Sequence, residues 1–241
     1  MFGGGKTDEI QKNMTDYLKN TYGKEFVVGK PKISGNEFIG FSNYMADAYP
    51  KDDPDLKFNI IWNKNKPDVF QDNYLGTKWS KQGTAVMEKK LREVYGDDFW
   101  LKEYWLSYND KRVKDWNYPE IIKKYADKMR VDIRYFVFID GKQDKKYEAE
   151  RAYKILKENC IDLKIMQYNF GVTYVLKEKK SALNEVYSKT KEGDYERSTK
   201  ALLEAGIAQD STGTRYARGI SEKYNEVIVK NADDLMYKFK N

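Results

Sequence analysis

The sequence predicts an α+β protein built as two helix-plus-antiparallel-sheet modules in tandem, and three observations carry that expectation. The first is an internal repeat. Leu18-Lys19-Asn20-Thr21-Tyr22-Gly23-Lys24-Glu25-Phe26-Val27-Val28 aligns with Leu91-Arg92-Glu93-Val94-Tyr95-Gly96-Asp97-Asp98-Phe99-Trp100-Leu101, keeping Leu, Tyr, Gly and Phe and the charge type beside them. In both copies a helix ends on a glycine able to adopt the left-handed conformation, and the chain turns directly into an apolar strand. The second observation is a set of strand-like segments joined by short links, which favour antiparallel pairing. The third is a composition shift: all five prolines (Pro31, Pro50, Pro54, Pro67, Pro119) and all five tryptophans (Trp62, Trp79, Trp100, Trp105, Trp116) fall at or before Pro119.

Residues 1–6, with Gly3-Gly4-Gly5, are expected as a flexible leader, residues 7–68 as a small helix-plus-meander module, and residues 69–241 as a larger α+β module. A helix begins with Thr7 as N-cap, carries Ile10, Met14, Tyr17 and Leu18 as an apolar stripe, and stops at Gly23. Strands follow over Phe26–Ile33, Phe38–Tyr49 and Leu56–Trp62, and Asn63-Lys64-Asn65-Lys66-Pro67 ends the run. A helix over Asn73–Val94 closes at Gly96, with Gly76 and Gly83 weakening its first half. The second module then reads as a strand Phe99–Tyr108, a helix Glu120–Met129 opened by Pro119, a strand Val131–Ile139 and a charged helix ending at Leu156. A hairpin comes next, Ile161–Tyr168 and Val172–Leu176 around Asn169-Phe170-Gly171, and then one or two helices over Ser181–Ala205 with a break near Gly193. The tail holds a loop at Asp210-Ser211-Thr212-Gly213, a strand Glu226–Val229 and a helix Ala232–Phe239.

Composition narrows the chemistry. An apolar fraction of 40% supports a packed interior, while 34% charged residues and a mean hydropathy of −0.85 describe a solvated surface. No run approaches the length of a spanning helix. The absence of histidine removes Ser-His-Asp and Cys-His catalysis and histidine-based zinc sites. Cys160 is the only cysteine, so no intramolecular disulfide forms, and it reads as a buried small hydrophobe rather than a reactive thiol. No metal, cofactor or redox dependence is expected. The net charge of +6 is spread out: residues 1–96 carry 15 basic and 13 acidic residues, and residues 97–241 carry 29 and 25. That is a mixed solvated surface rather than a clear nucleic-acid footprint.

Gly5-Lys6-Thr7 lacks the earlier glycine and the strand of a phosphate-binding loop. Asp52-Asp53-Pro54-Asp55 and Asp140-Gly141-Lys142-Gln143-Asp144 lack the spacing of a calcium loop, and the second reads as a turn feeding a helix. Thr212-Gly213-Thr214-Arg215-Tyr216-Ala217-Arg218-Gly219 has the side chains to hold an anion but reads as a surface loop. Trp100, Tyr104 and Tyr108 are expected on one strand face and Trp105 on the other. No catalytic residue is singled out. Trp105, Trp116 and Tyr118 are the candidate partner-contact residues, the alternative being burial beneath the helix after Pro119.

The segments Tyr17–Pro31, Ala48–Pro54 and Asp72–Trp79, within residues 7–95, resemble Gram-positive bacterial surface lipoproteins of poorly understood function. The resemblance implies a helix packed on an antiparallel sheet in a cystatin-like or NTF2-like manner, and a glycine-rich tether such as Gly3-Gly4-Gly5. The signal peptide and lipid-bearing cysteine of those proteins are absent from this sequence. On this reading the chain is a non-enzymatic binding protein on the outer face of the cell membrane, meeting the membrane only through a lipid anchor and binding a protein or cell-envelope component. A cytosolic or phage-type nucleic-acid or protein interaction protein, and a hydrolase using carboxylates alone, are the alternatives.

Overall fold

The computed structural model describes residues 4–34, 43–188, 195–217 and 229–239. It is an α+β chain that divides into two compact units, Met1–Lys81 with Tyr108–Asn117, and Gln82–Ser107 with Tyr118–Asn241. The sequence reading set its boundary at 68/69 instead. The structural division falls inside a continuous helix, and Tyr108–Asn117 returns to the first unit.

In the first unit, helix α1 (Gly4–Tyr22) buries Ile10, Met14 and Leu18 at four-residue spacing. It begins before Thr7, so residues 4–6 are helix rather than leader and Thr7 is not the cap; glycine weakens a helix without forbidding it. The sheet contains β1 (Phe26–Val28), β2 (Lys32–Ser34), β3 (Asn43–Pro50), β4 (Phe58–Asn63) and β5 (Lys66–Asp72). Its order is β1-β3-β4-β5, with β2 also on β3, and every pair is antiparallel. Phe26, Val28, Ala46, Ala48, Phe58 and Ile60 form its buried face. The expected strand Phe26–Ile33 splits into β1 and β2, with Pro31, which has no N–H for a ladder, between them. Lys66 and Pro67 start β5 rather than ending the sheet, because an edge strand tolerates proline. Phe38 lies outside the described residues.

Helix α2 (Tyr74–Tyr95) is continuous through Gly76 and Gly83. At Gly83 an added Cβ would lie 2.8 Å from the Tyr118 ring, so the glycine permits close packing rather than weakening the helix. The repeated corner is built as expected: Gly23 and Gly96 have φ of +66° and +62°, and each N–H reaches back to the carbonyl four residues earlier, Lys19 at 2.8 Å and Arg92 at 2.9 Å. Three residues later the chain enters β1 and β6 (Phe99–Ser107).

The second unit continues with α3 (Tyr118–Tyr125), β7 (Arg130–Ile139), α4 (Lys145–Leu156), β8 (Gln167–Leu176), α5 (Lys180–Ser188), α6 (Tyr195–Glu204), β9 (Ala208–Ala217) and α7 (Ala232–Met236). The sheet order is β6-β7-β8-β9, antiparallel except for the parallel pair β7–β8 across α4. The expected hairpin at Asn169-Phe170-Gly171 is instead an uninterrupted β8, and the expected loops at Asp210–Gly213 and Thr212–Gly219 lie in β9 as far as Ala217. Gly171 and Gly213 are register partners, and an added Cβ on Gly213 would sit 2.5 Å from the Phe170 carbonyl oxygen. These glycines let two strands approach; they make no turn. One sheet face packs Tyr135, Phe170 and Tyr174 beneath α4, and the other packs Phe136, Phe138 and Val175 against Leu183 and Leu202 of α5 and α6. Gly193, Arg218, Gly219 and Glu226 lie outside the described residues.

Candidate functional site

In the second unit a pocket of about 290 Å³ opens where β7 ends and α4 begins, beside the end of β8. In α/β units, the carboxyl ends of parallel strands leave such crevices, because crossover connections bend away there. Gly141, at φ +69°, turns the chain out of β7, and the Asp144 side chain caps α4 by accepting from the Tyr147 N–H at 3.1 Å. This agrees with the sequence reading of Asp140–Asp144 as a turn feeding a helix.

Two ionic pairings shape the pocket. Lys177, just after β8, bridges Asp98 at 2.9 Å and Asp140 at 2.6 Å. Glu148 and Arg151, one turn apart on α4, pair at 2.8 Å, and Arg151 also donates to the Val94 carbonyl at 2.9 Å. The guanidinium stands 4.0 Å from the Tyr95 ring centre and 5.1 Å from that of Tyr147. The Glu148 side chain is only 6% exposed, and burial pushes its carboxyl above the ordinary glutamate range, partly opposed by the Arg151 charge. Burial likewise pushes the phenols of Tyr95, Tyr135 and Tyr174 upward, so they remain neutral hydrogen-bonding groups.

Three buried side-chain atoms of the lining have no hydrogen-bond partner among the described residues: Gln143 Nε2, Glu148 Oε2 and Arg151 Nε. Buried polar groups are ordinarily paired, and leaving one unpaired costs about 1–3 kcal/mol. At this pocket two donors and one acceptor are thus left for a partner outside the described residues. Sequence reasoning did not single out Glu148 or Arg151. A signal was available, because Glu148, Ala152 and Ile155 share one helical stripe, which places a carboxylate on the buried face.

The candidate contact residues are separated by the structure. Tyr118 is buried, its hydroxyl 2.5 Å from that of Tyr104, so it cannot supply contact surface. Trp116 is half-buried in the first unit, and its carbonyl accepts from Trp79 Nε1 at 3.0 Å. Trp105 is 37% exposed, with the Arg130 guanidinium 5.5 Å from its ring centre. The expected facing of the strand aromatics is corrected by a bulge between Leu101 and Glu103. Trp100 opposes Phe136 and Trp105 opposes Asp132, so these two tryptophans share a face that Tyr104 does not. Tyr108 lies beyond the end of β6. Cys160 is fully enclosed and its thiol is pushed upward by burial, which keeps it protonated and unreactive. Asp52 and Asp53 pair with Lys24 at 2.9 Å and Lys81 at 2.8 Å, as surface ion pairs.

Among the described residues, no group of three or more acidic or cysteine side chains is placed to hold a metal, and no helix is long and apolar enough to cross a membrane. No protein-family model and no curated protein matches the sequence. The chain is similar to a crystal structure described as a DUF5037 family protein from Ruminococcus gnavus ATCC 29149, with 18% sequence identity and a TM-score of 0.43 over 96% of this chain and 94% of that one.

Proposed function

We propose that the chain is a non-enzymatic binding protein of the bacterial cell surface, the mature region of a lipoprotein, which holds a small polar molecule in the Glu148–Arg151 pocket. The observation that carries the binding reading is the pairing of the pocket's charges with one another: Glu148 with Arg151, and Lys177 with Asp98 and Asp140. Groups locked in this way fix a shape and a pattern of donors and acceptors. They do not leave a nucleophile beside a free base, which covalent chemistry would need. The surface location rests on the resemblance of residues 7–95. Trp105 is the residue through which a protein or cell-envelope partner would be met, since an exposed aromatic supplies contact area at low entropic cost.

Two measurements test this reading. Protease treatment of intact cells and palmitate labelling of the full-length gene product should show an exposed, lipid-modified protein; a protease-protected, unlabelled protein in the cytosol overturns the location. Molecules retained by the purified chain should be recovered chemically unchanged. One observation favours a carboxylate hydrolase as a second reading: Glu148 carries an elevated carboxyl, raised chiefly by burial and further by the neighbouring Asp144. Turnover that disappears in Glu148→Gln would establish that reading and remove the first.

A further inference from the structure

We propose that the Glu148–Arg151 pocket takes a small zwitterion of the α-amino acid class, a proposal that rests on the binding reading above. The argument starts from the unpaired atoms. Glu148 Oε2 is an acceptor, while Gln143 Nε2 and Arg151 Nε are donors, and all three belong to side chains lining one pocket. A ligand that satisfies the whole set must bring a donor to the first and acceptors to the other two.

Charge selects among such ligands. Glu148 and Arg151 already neutralise each other, so a net cation would meet Glu148 but crowd Arg151 and Lys142, and would leave both donors unmet. A net anion would satisfy Arg151 and Gln143 and be repelled by Glu148, Asp140 and Asp144. A zwitterion does neither. Its ammonium would approach Glu148 and its carboxylate would approach Arg151 and Gln143, making an alternating ring of charges with no net addition. The volume of about 290 Å³ lies at the small end of ligand sites, as an amino acid requires. The Tyr147 ring, beside the Arg151 guanidinium, and Ile139 among the lining residues provide apolar and aromatic surroundings for a side chain of the ligand.

Entry needs one local movement. The three atoms are closed from solvent, and Tyr147, whose ring borders Arg151 and which is 56% exposed, is the side chain that would have to swing outward. Rotation of its χ1 exposes the guanidinium edge without disturbing the buried stripe of α4.

The experiment is isothermal titration of the full chain with each of the common L-amino acids at millimolar concentration. For any that binds, the decarboxylated amine and the deaminated acid are titrated in turn. Saturable one-to-one binding of an amino acid, with each half about tenfold weaker or worse, is the expected result. Glu148→Gln should weaken binding by a similar factor and Gln143→Ala by less; circular dichroism confirms that each variant is folded. Should Glu148→Gln fail to fold, Gln143→Ala carries the test, since Gln143 is only half-buried: weaker binding supports the proposal and unchanged binding overturns it. Absence of binding by every amino acid, or halves that bind as tightly as the zwitterion, overturns the proposal. Glucose and glycyl-glycine are titrated in parallel. If either binds in a Glu148-dependent way while the amino acids do not, the zwitterion class falls and the binding reading stands; chemical alteration of a bound molecule instead removes the binding reading itself.

Discussion

Asp72 in the first unit and Glu148 in the second are both buried carboxylates, and they are treated in opposite ways. Asp72 is fully enclosed and fully employed: it accepts from the Tyr22 hydroxyl at 2.6 Å, the Tyr17 hydroxyl at 3.0 Å and the Tyr74 N–H at 3.2 Å, with Lys111 at 3.4 Å. It ties α1, the end of β5 and the start of α2 to one point. Glu148 has a single side-chain partner, Arg151, and one oxygen with none among the described residues. The same fold thus satisfies one buried acid completely and leaves an oxygen of another unpaired among the described residues. A satisfied buried acid reads as structure, and an unsatisfied one beside a pocket reads as a binding site.

The comparison breaks first at Asp72. Asp72→Ala strands the Tyr22 hydroxyl and the Tyr74 N–H in the interior, and should cost about 3 kcal/mol in urea unfolding. A cost below about 1 kcal/mol would mean that the network is ornamental and the contrast with Glu148 is empty. Tyr22→Phe removes one hydrogen bond to the same carboxylate and should cost about 1.5 kcal/mol. If the two effects were equal, a single bond would account for the whole node.

How far the sequence revealed these features depends on whether the signal was local. The Gly23 and Gly96 corners were legible because helix end, glycine and strand follow one another within a few residues. β8 and β9 were not, because Gly171 and Gly213 resemble turn residues until two strands are seen to approach at them. β5 was lost to Pro67, whose tolerance depends on its being at a sheet edge, a fact that only the pairing order supplies. The facing of Trp100 and Trp105 was misread because one bulge reverses the alternation that a two-residue period assumes. Asp72 and Glu148 looked like ordinary members of a charged surface. Their partners, Tyr17 and Tyr22 for one and the pocket walls for the other, are distant in sequence or are set by the turn out of β7. The helical stripe through Glu148 was the one clue available from sequence alone.

A smaller pair of effects tests whether the two units respond alike where their sequences repeat. Gly23→Ala and Gly96→Ala each place a side chain in a left-handed conformation, with no atom within 4 Å of the added carbon. The penalty is therefore conformational alone, about 1 kcal/mol in each case. Unequal costs would show that one corner carries an interaction the other lacks, and that the units differ by more than their buried acids.

The smallest effect is also the most diagnostic, because its sign differs from that of an ordinary buried ion pair. In the folded chain the Glu148 carboxyl lies above the ordinary glutamate value, chiefly through burial, so folding favours its protonated form. Its contribution to stability is therefore fully present below the ordinary value and is lost as pH rises through the elevated folded one. Glu148→Gln keeps an oxygen that can accept from Arg151 but carries no charge, and it escapes that loss. The variant should match the parent at pH below the ordinary glutamate value and become the more stable of the two as pH rises towards neutral. Urea midpoints measured across that range decide the matter. A variant that falls below the parent as pH rises would mean that the Arg151 pairing outweighs burial, making Glu148 a structural acid like Asp72 and leaving the pocket without its distinguishing feature.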